Sequence, residues 1–185
     1  RINTLDYELY RDMQQKIIDV LDTAEYVEIT GKGENQTNMQ VQLAAISNPE
    51  KQTKFENCVA DVNIPLGEVF TSPKLAGTNG ILNVGTVYIG DIQYRNLRME
   101  FKDGRVVSAV CDNFVKNGVI DQEAGHRLIV QGIMNGHETL PLGEFAIGTN
   151  TTAYAMAEKF GILDRLPILI VEKMGPHFAV GDTCY

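Results

Sequence analysis

The sequence has no tryptophan, only three cysteines and three histidines in 185 residues, and no surplus of positive charge. Each shortage excludes something. Without tryptophan, the indole platform that commonly stacks on sugar rings is missing. Cys58, Cys111 and Cys184 are odd in number and far apart, which fits reduced thiols better than a disulfide framework or a zinc knuckle. A formal net charge of −8 argues against nucleic-acid partners, because gripping phosphates means displacing their counterions with Lys and Arg. It argues equally against docking on an anionic membrane, and no apolar run is long enough to span a bilayer. With no basic-then-apolar secretory start either, a cytoplasmic setting is expected. What is present, at 44% hydrophobic residues, is enough to build a real core. The chain opens on Arg1 rather than Met and stops at Cys184-Tyr185, so it reads as a segment of a longer protein.

The periodicities place alternating strands between a few helices. Asn3 or Thr4 can cap a helix with an apolar stripe of Leu5, Leu9, Met13, Ile17 and Leu21, ending near Ala24. That stripe reads as core packing or a dimer contact. Tyr26-Val27-Glu28-Ile29-Thr30 alternates as a strand does and halts at a Gly31-Lys32-Gly33 turn. Met39, Val41, Leu43 and Ala45 suggest a second, half-buried strand, and residues 48–56 a polar loop. Two short apolar runs, 81–84 and 87–89, are separated around Gly85; Leu97, Met99 and Phe101 then alternate toward an Asp103-Gly104 turn and a return strand over 106–110. A helix is expected over 121–134, a structured loop or irregular strand over 135–150, and a helix capped by Thr151 or Thr152 and reaching Phe160. Pro167-Ile168-Leu169-Ile170-Val171 has the continuous apolar character of a buried strand. The expected class is α+β, a mixed, β-rich sheet with flanking helices.

Three residues carry the candidate chemistry. Glu68 follows Pro65-Leu66-Gly67, Glu144 follows Pro141-Leu142-Gly143, and His177 follows Gly175-Pro176; apolar residues come after each. Side chains so placed can project from strand ends into one cleft, where a carboxylate is tolerated only beside a compensating cation. Carboxylate oxygens with an imidazole nitrogen suit zinc, cobalt or manganese, and a carboxylate can bridge two such ions. Paired ions polarise a carbonyl and activate water for hydrolysis. The wide separation of these residues gives no motif such as His-Glu-x-x-His, and the alternative is two solvated loop carboxylates and a lone histidine. His126 is expected to be exposed on a helix, and His137 to serve in loop hydrogen bonding rather than as a spare ligand. Cys184 beside the site is by default a small buried apolar residue. Gly31-Lys32-Gly33 lacks the rest of a phosphate-binding fingerprint.

Asn63-Ile64-Pro65-Leu66-Gly67-Glu68-Val69-Phe70-Thr71-Ser72-Pro73, Gly143-Glu144-Phe145-Ala146-Ile147-Gly148-Thr149-Asn150 and Glu172-Lys173-Met174-Gly175-Pro176-His177-Phe178-Ala179-Val180-Gly181 stand in this order. They resemble the signature blocks of the thermophilic-type aminopeptidases, the aminopeptidase T or M29 family, from about Tyr26 to the end of the chain. The resemblance implies a dinuclear metallo-exopeptidase that removes N-terminal residues from peptides. It implies an N-terminal α/β domain, a metal-bearing C-terminal domain, and a homodimer enclosing the active site. Glu68 matches the family's first metal carboxylate, Glu144 the bridging one, and His177 its first metal-binding histidine. Tyr185 lies near the family's tyrosine, after an interval one residue longer, and Glu172 fits the glutamate before the histidine as an outer partner or proton shuttle. The family adds a His-x-Asp pair downstream, past the end of this chain. Residues 1–185 therefore correspond to part of the catalytic, metal-binding domain of a longer metallopeptidase holding two divalent ions, zinc, cobalt or manganese.

Two functions follow. One is a metallo-aminopeptidase whose acidic cleft attracts a cationic peptide amine. The other is a catalytically incomplete or degenerate peptide- or metal-binding module. A glycoside hydrolase using Glu68 and Glu144 as acid and base ranks last, because the usual tryptophan platform is missing.

Overall fold

The computed structural model describes residues 6–59 and 66–182. The expected caps Asn3 and Thr4, Leu5, the segment 60–65, Cys184 and Tyr185 lie outside the described residues. Helix α1 spans Tyr7–Leu21, and the Asp6 carboxylate caps it by accepting the Leu9 N–H at 3.0 Å. Its buried face is not the expected one. Tyr10, Gln14 and Ile18 are buried, while Leu9 and Met13 are 62% and 53% exposed. The two stripes lie one residue apart, about 100° of rotation. Polar bonding decides between them: Gln14 donates to Asn57 Oδ1 at 2.7 Å and accepts from Thr149 Oγ1 at 2.7 Å. Ile17 and Leu21 of the expected stripe still pack against the core.

The strands follow in chain order: β1 (Tyr26–Thr30), β2 (Asn38–Gln42), β3 (Glu56–Cys58), β4 (Glu68–Thr71), β5 (Lys74–Ile89), β6 (Ile92–Lys102), β7 (Arg105–Val110), β8 (Val115–Lys116) and β9 (Val119–Ile120). Helix α2 (Gln122–Gly132), strand β10 (Leu142–Gly148), helices α3 (Thr151–Lys159) and α4 (Ile168–Val171), and strand β11 (Pro176–Val180) complete them. Every pairing between these strands is antiparallel, and a parallel bridge joins Tyr88 to Pro167. The class is α+β, as expected.

One sheet of five strands has the order β1-β2-β5-β6-β7. Its middle is a long hairpin, because the two apolar runs around Gly85 belong to one strand, β5, of 16 residues. Alternation sets the buried face of its partner: Leu97, Met99 and Phe101 are all nearly inaccessible. Asp103 and Gly104 both adopt positive φ, as a tight hairpin turn requires, and β7 returns from it. The core formed here takes in Met39 and Val41 of β2, Ile129 of α2, and Phe145 and Leu142 of β10.

A second sheet of four strands has the order β11-β10-β4-β3 and positions the candidate residues. The stretch read as a loop or irregular strand supplies β10, which lies between β4 and β11. The apolar run 168–171 is not a buried strand. It forms the short helix α4, followed by a 3-10 turn at Glu172–Met174, and Leu169 is 60% exposed. Such a run is compatible with either structure by pattern alone. The strand that matters begins at Pro176. Helix α3 is capped by Asn150, whose Oδ1 accepts the Ala153 N–H at 2.9 Å, rather than by either threonine.

Candidate metal centre

The register of the second sheet dictates which side chains meet. Along β10, Glu144, Ala146 and Gly148 share one face, since successive side chains alternate. Ala146 pairs with His177 of β11, and Gly148 pairs with Glu68 of β4. Directly paired residues share a face, so Glu144, His177 and Glu68 lie on the same side of three adjacent strands. The opposite face is apolar: Phe145 is fully buried, with its ring centroid 5.3 Å from that of Phe178 and 6.0 Å from that of Phe55.

On the polar face, His177 Nε2 lies 3.3 Å from Glu68 Oε2 and 3.7 Å from Glu144 Oε1. Its Nδ1 is 3.1 Å from Gly175 O. A carbonyl only accepts, so this bond assigns a proton to Nδ1 and turns Nε2 toward the carboxylates, the arrangement typical of metal-ligating histidines.

The fourth member was not foreseen. Lys173, with a side chain 3% exposed, places Nζ 2.5 Å from Glu68 Oε2 and 3.5 Å from Glu172 Oε1. Lysine is almost never this buried without a partner. Only its position beside Glu172, in a block rich in site residues, hinted at the role. The backbone at Glu172-Lys173 lies directly over Gly148, where a Cβ would come within 2.2 Å of Glu172 O. Asn150 N–H also donates to Lys173 O at 2.9 Å.

The two carboxylates respond in opposite directions. Burial alone would raise the Glu68 carboxyl, but close contacts with His177 and Lys173 outweigh it and hold the group below its ordinary value. Burial lifts Glu144 above its ordinary value; the His177 charge opposes this and the Glu68 charge reinforces it. Two carboxylates pushed apart in this way are a common signature of functional sites.

The remaining expectations divide. Glu172 faces Lys173, with Oε1 3.5 Å from its Nζ. Tyr185 lies outside the described residues. His126 is not simply exposed: Nδ1 meets Ala109 O at 2.9 Å and Nε2 meets Glu138 Oε2 at 3.0 Å. His137 is exposed in the loop before β10, where its backbone N–H donates to Met134 O at 2.9 Å.

The donors suit a divalent ion in kind. Glu68 Oε2 is buried and accepts no hydrogen bond of regular geometry, so only its ion-pair contacts compensate it. Two carboxylates and an imidazole on one face then fit the ligand chemistry of zinc, cobalt or manganese. Among the described residues, though, no group of three or more His, Cys, Asp or Glu side chains is drawn together as a metal ion would hold it. Among the same residues, no helix is long and apolar enough to cross a membrane.

The profile of the thermophilic metalloprotease family, M29, matches residues 5–183. The chain belongs to that family. The M29 match takes in all three strands that carry Glu68, Glu144 and His177. The solved structure of wild-type AmpT from Thermus thermophilus is similar in fold, with a TM-score of 0.59 and 18% sequence identity. That similarity covers 96% of this chain and 41% of AmpT, so this M29 chain spans about two fifths of the length of that structure. No curated protein matches the sequence significantly.

Proposed function

We propose that this chain is part of the catalytic domain of a metallo-aminopeptidase, with Glu68, Glu144 and His177 as donors to a dinuclear centre of zinc, cobalt or manganese. The observation that carries the reading is the convergence of these three side chains on one face of three adjacent strands. Membership of a metalloprotease family supports it.

Divalent ions bound there would polarise the scissile carbonyl and make water a competent nucleophile at neutral pH. The residues of this chain do the rest. Glu68, ionised even when buried, supplies a fixed negative charge. His177, held by Gly175 O, presents Nε2 without rotating. Glu144, with Oε1 3.7 Å from His177 Nε2, is the carboxylate placed to take the proton of the attacking water and return it to the departing amine. Glu172, through Lys173, orders the charge around Glu68. Tyr185 is assigned the remaining catalytic position. The acidic balance of the chain favours a peptide's cationic N-terminus. The full-length protein is proposed to be cytoplasmic and homodimeric, with the remaining ligands outside these residues.

A second reading is favoured by one observation. The Lys173–Glu68 ion pair already compensates the buried carboxylate, which suits an incomplete or degenerate peptide- or metal-binding module.

Elemental analysis of the purified chain, with Glu144→Ala alongside and release of leucine from a leucyl-peptide, tests both. Near-stoichiometric metal that is lost in the variant, together with turnover, is the expected result for the enzyme. Metal without turnover favours the incomplete module, and absence of metal from both proteins refutes Glu68, Glu144 and His177 as a centre that holds metal by itself.

A further inference from the structure

We propose that Lys173 is the resident counter-cation of this centre, occupying the place beside Glu68 that a divalent ion takes, so that metal loading expels its ammonium group. The proposal rests on the reading of Glu68 as a metal donor and assigns a role to a residue that reading leaves without one.

The geometry makes the lysine part of the site's construction. Its side chain is 3% exposed, and Nζ lies 2.5 Å from Glu68 Oε2. That oxygen has no regular hydrogen bond to fall back on. A lone buried carboxylate is costly, so in the metal-free chain the ammonium, together with His177 Nε2 3.3 Å from the same oxygen, is what makes this position of Glu68 tolerable. The Lys173 backbone is anchored at both ends of the contact, by Asn150 N–H donating to Lys173 O at 2.9 Å and by the close approach over Gly148. The flexible four-carbon stem is therefore the part free to move.

An ammonium and a divalent ion cannot share one carboxylate oxygen at bonding distance without strong repulsion. Exchange relieves it, because Glu68 keeps a cationic partner before and after. Glu172, with Oε1 3.5 Å from Nζ, is placed to receive the displaced ammonium. Loading is thus a cation exchange. The lysine keeps Glu68 in place before any ion binds, and it sets a threshold of ion concentration below which the site stays closed.

The test compares wild type, Lys173→Met, Lys173→Arg and the double variant Lys173→Met/Glu68→Gln. Zinc affinity is read by competition with a fluorescent chelator, and the thermal midpoint is read after chelator treatment. Lys173→Met keeps the apolar stem, so it is expected to bind zinc about tenfold tighter or more once the competing charge is gone. Its metal-free midpoint is expected to fall, and Glu68→Gln in the same background to restore most of the loss. Lys173→Arg, which keeps a cation, is expected to stay near wild type in affinity. Unchanged or weaker zinc binding by Lys173→Met, with wild type binding zinc, overturns the exchange and leaves the metal reading standing. No zinc binding by any of the four overturns both. Should Lys173→Met fail to fold without metal, recovery with zinc or with Glu68→Gln supports the proposal, and recovery with neither overturns it.

Discussion

Replacing Gly148 with alanine would show how firmly the floor of the sheet sets the position of Lys173. A Cβ there would lie 2.2 Å from Glu172 O and 2.3 Å from the Lys173 carbonyl carbon. Both are backbone atoms, so no change of rotamer relieves the overlap. To reach ordinary contact at roughly 3.5 Å, the Glu172-Lys173 peptide has to retreat by more than an ångström. Two hydrogen bonds tie that segment to the strand end: Gly148 N–H to Gly175 O at 2.8 Å and Asn150 N–H to Lys173 O at 2.9 Å. Overpacking of this kind costs about 1–3 kcal/mol, and each weakened hydrogen bond adds about 0.5–1.5 kcal/mol. The reduced freedom of alanine in the unfolded chain offsets about 0.4–1 kcal/mol. The expected net loss is therefore about 1–6 kcal/mol, read as a lower urea midpoint with an unchanged slope. Gly85 is the control: it has open space where a Cβ would go, so Gly85→Ala should stay within about 0.5 kcal/mol of wild type. A Gly148→Ala chain as stable as wild type would show that the 172–173 segment yields freely, and the fixed anchoring of Lys173 would fall with it.

On the other face of β10, Phe145→Ala removes a fully buried ring that packs against Phe55 and Phe178, at an expected cost of about 3–5 kcal/mol. Urea unfolding checks it, and a loss below about 1.5 kcal/mol would mean that this face is not the core of the sheet. His126 gives a pH dependence. Its bond to Ala109 O, and then its contact with Glu138, raise it above the ordinary 6.5, since both ring nitrogens face acceptors and only the imidazolium can donate to both. A raised folded-state value means that the contribution is fully present below the ordinary value and fades as pH rises through the folded one. The midpoint difference between wild type and His126→Asn should shrink over that rise. Solvent screening of this half-exposed pair keeps the effect below about 1 kcal/mol, and a difference independent of pH would refute the assignment.

How much of the fold could be read depended on whether a local rule had a competitor. Alternation at Leu97, Met99 and Phe101 and the Asp103-Gly104 turn located the β6–β7 hairpin, because strand period and turn chemistry agreed. Residues 168–171 offered an apolar run with no period, and they became a helix rather than a strand. In α1 two stripes competed, and the apolar one lost. Tyr10 and Gln14 occupy the buried face because Thr149 and Asn57 supply bonding partners for it. Those partners are distant in sequence, so no local pattern signals them.

The site shows the same limit from the other side. Residue type and context picked out Glu68, Glu144 and His177, and strand register brought them together, yet the register itself was not readable. It depends on β10 pairing with β4 on one side and β11 on the other, across intervals that contain other strands and helices. Lys173 was harder still. A lysine after a glutamate ordinarily marks a solvated turn, and its burial here is forced by two things the sequence leaves unjoined. One is the Cβ-free surface at Gly148, which lets the 172–173 backbone descend onto the sheet. The other is Glu68, a buried carboxylate directly opposite that glycine, which only a cation can stabilise. Given both, the positive group at position 173 joins His177 in compensating the Glu68 carboxylate. The glycine, the carboxylate and the lysine thus hold one another in place, and a substitution at Gly148 or Lys173 should shift the Glu68 carboxylate as well.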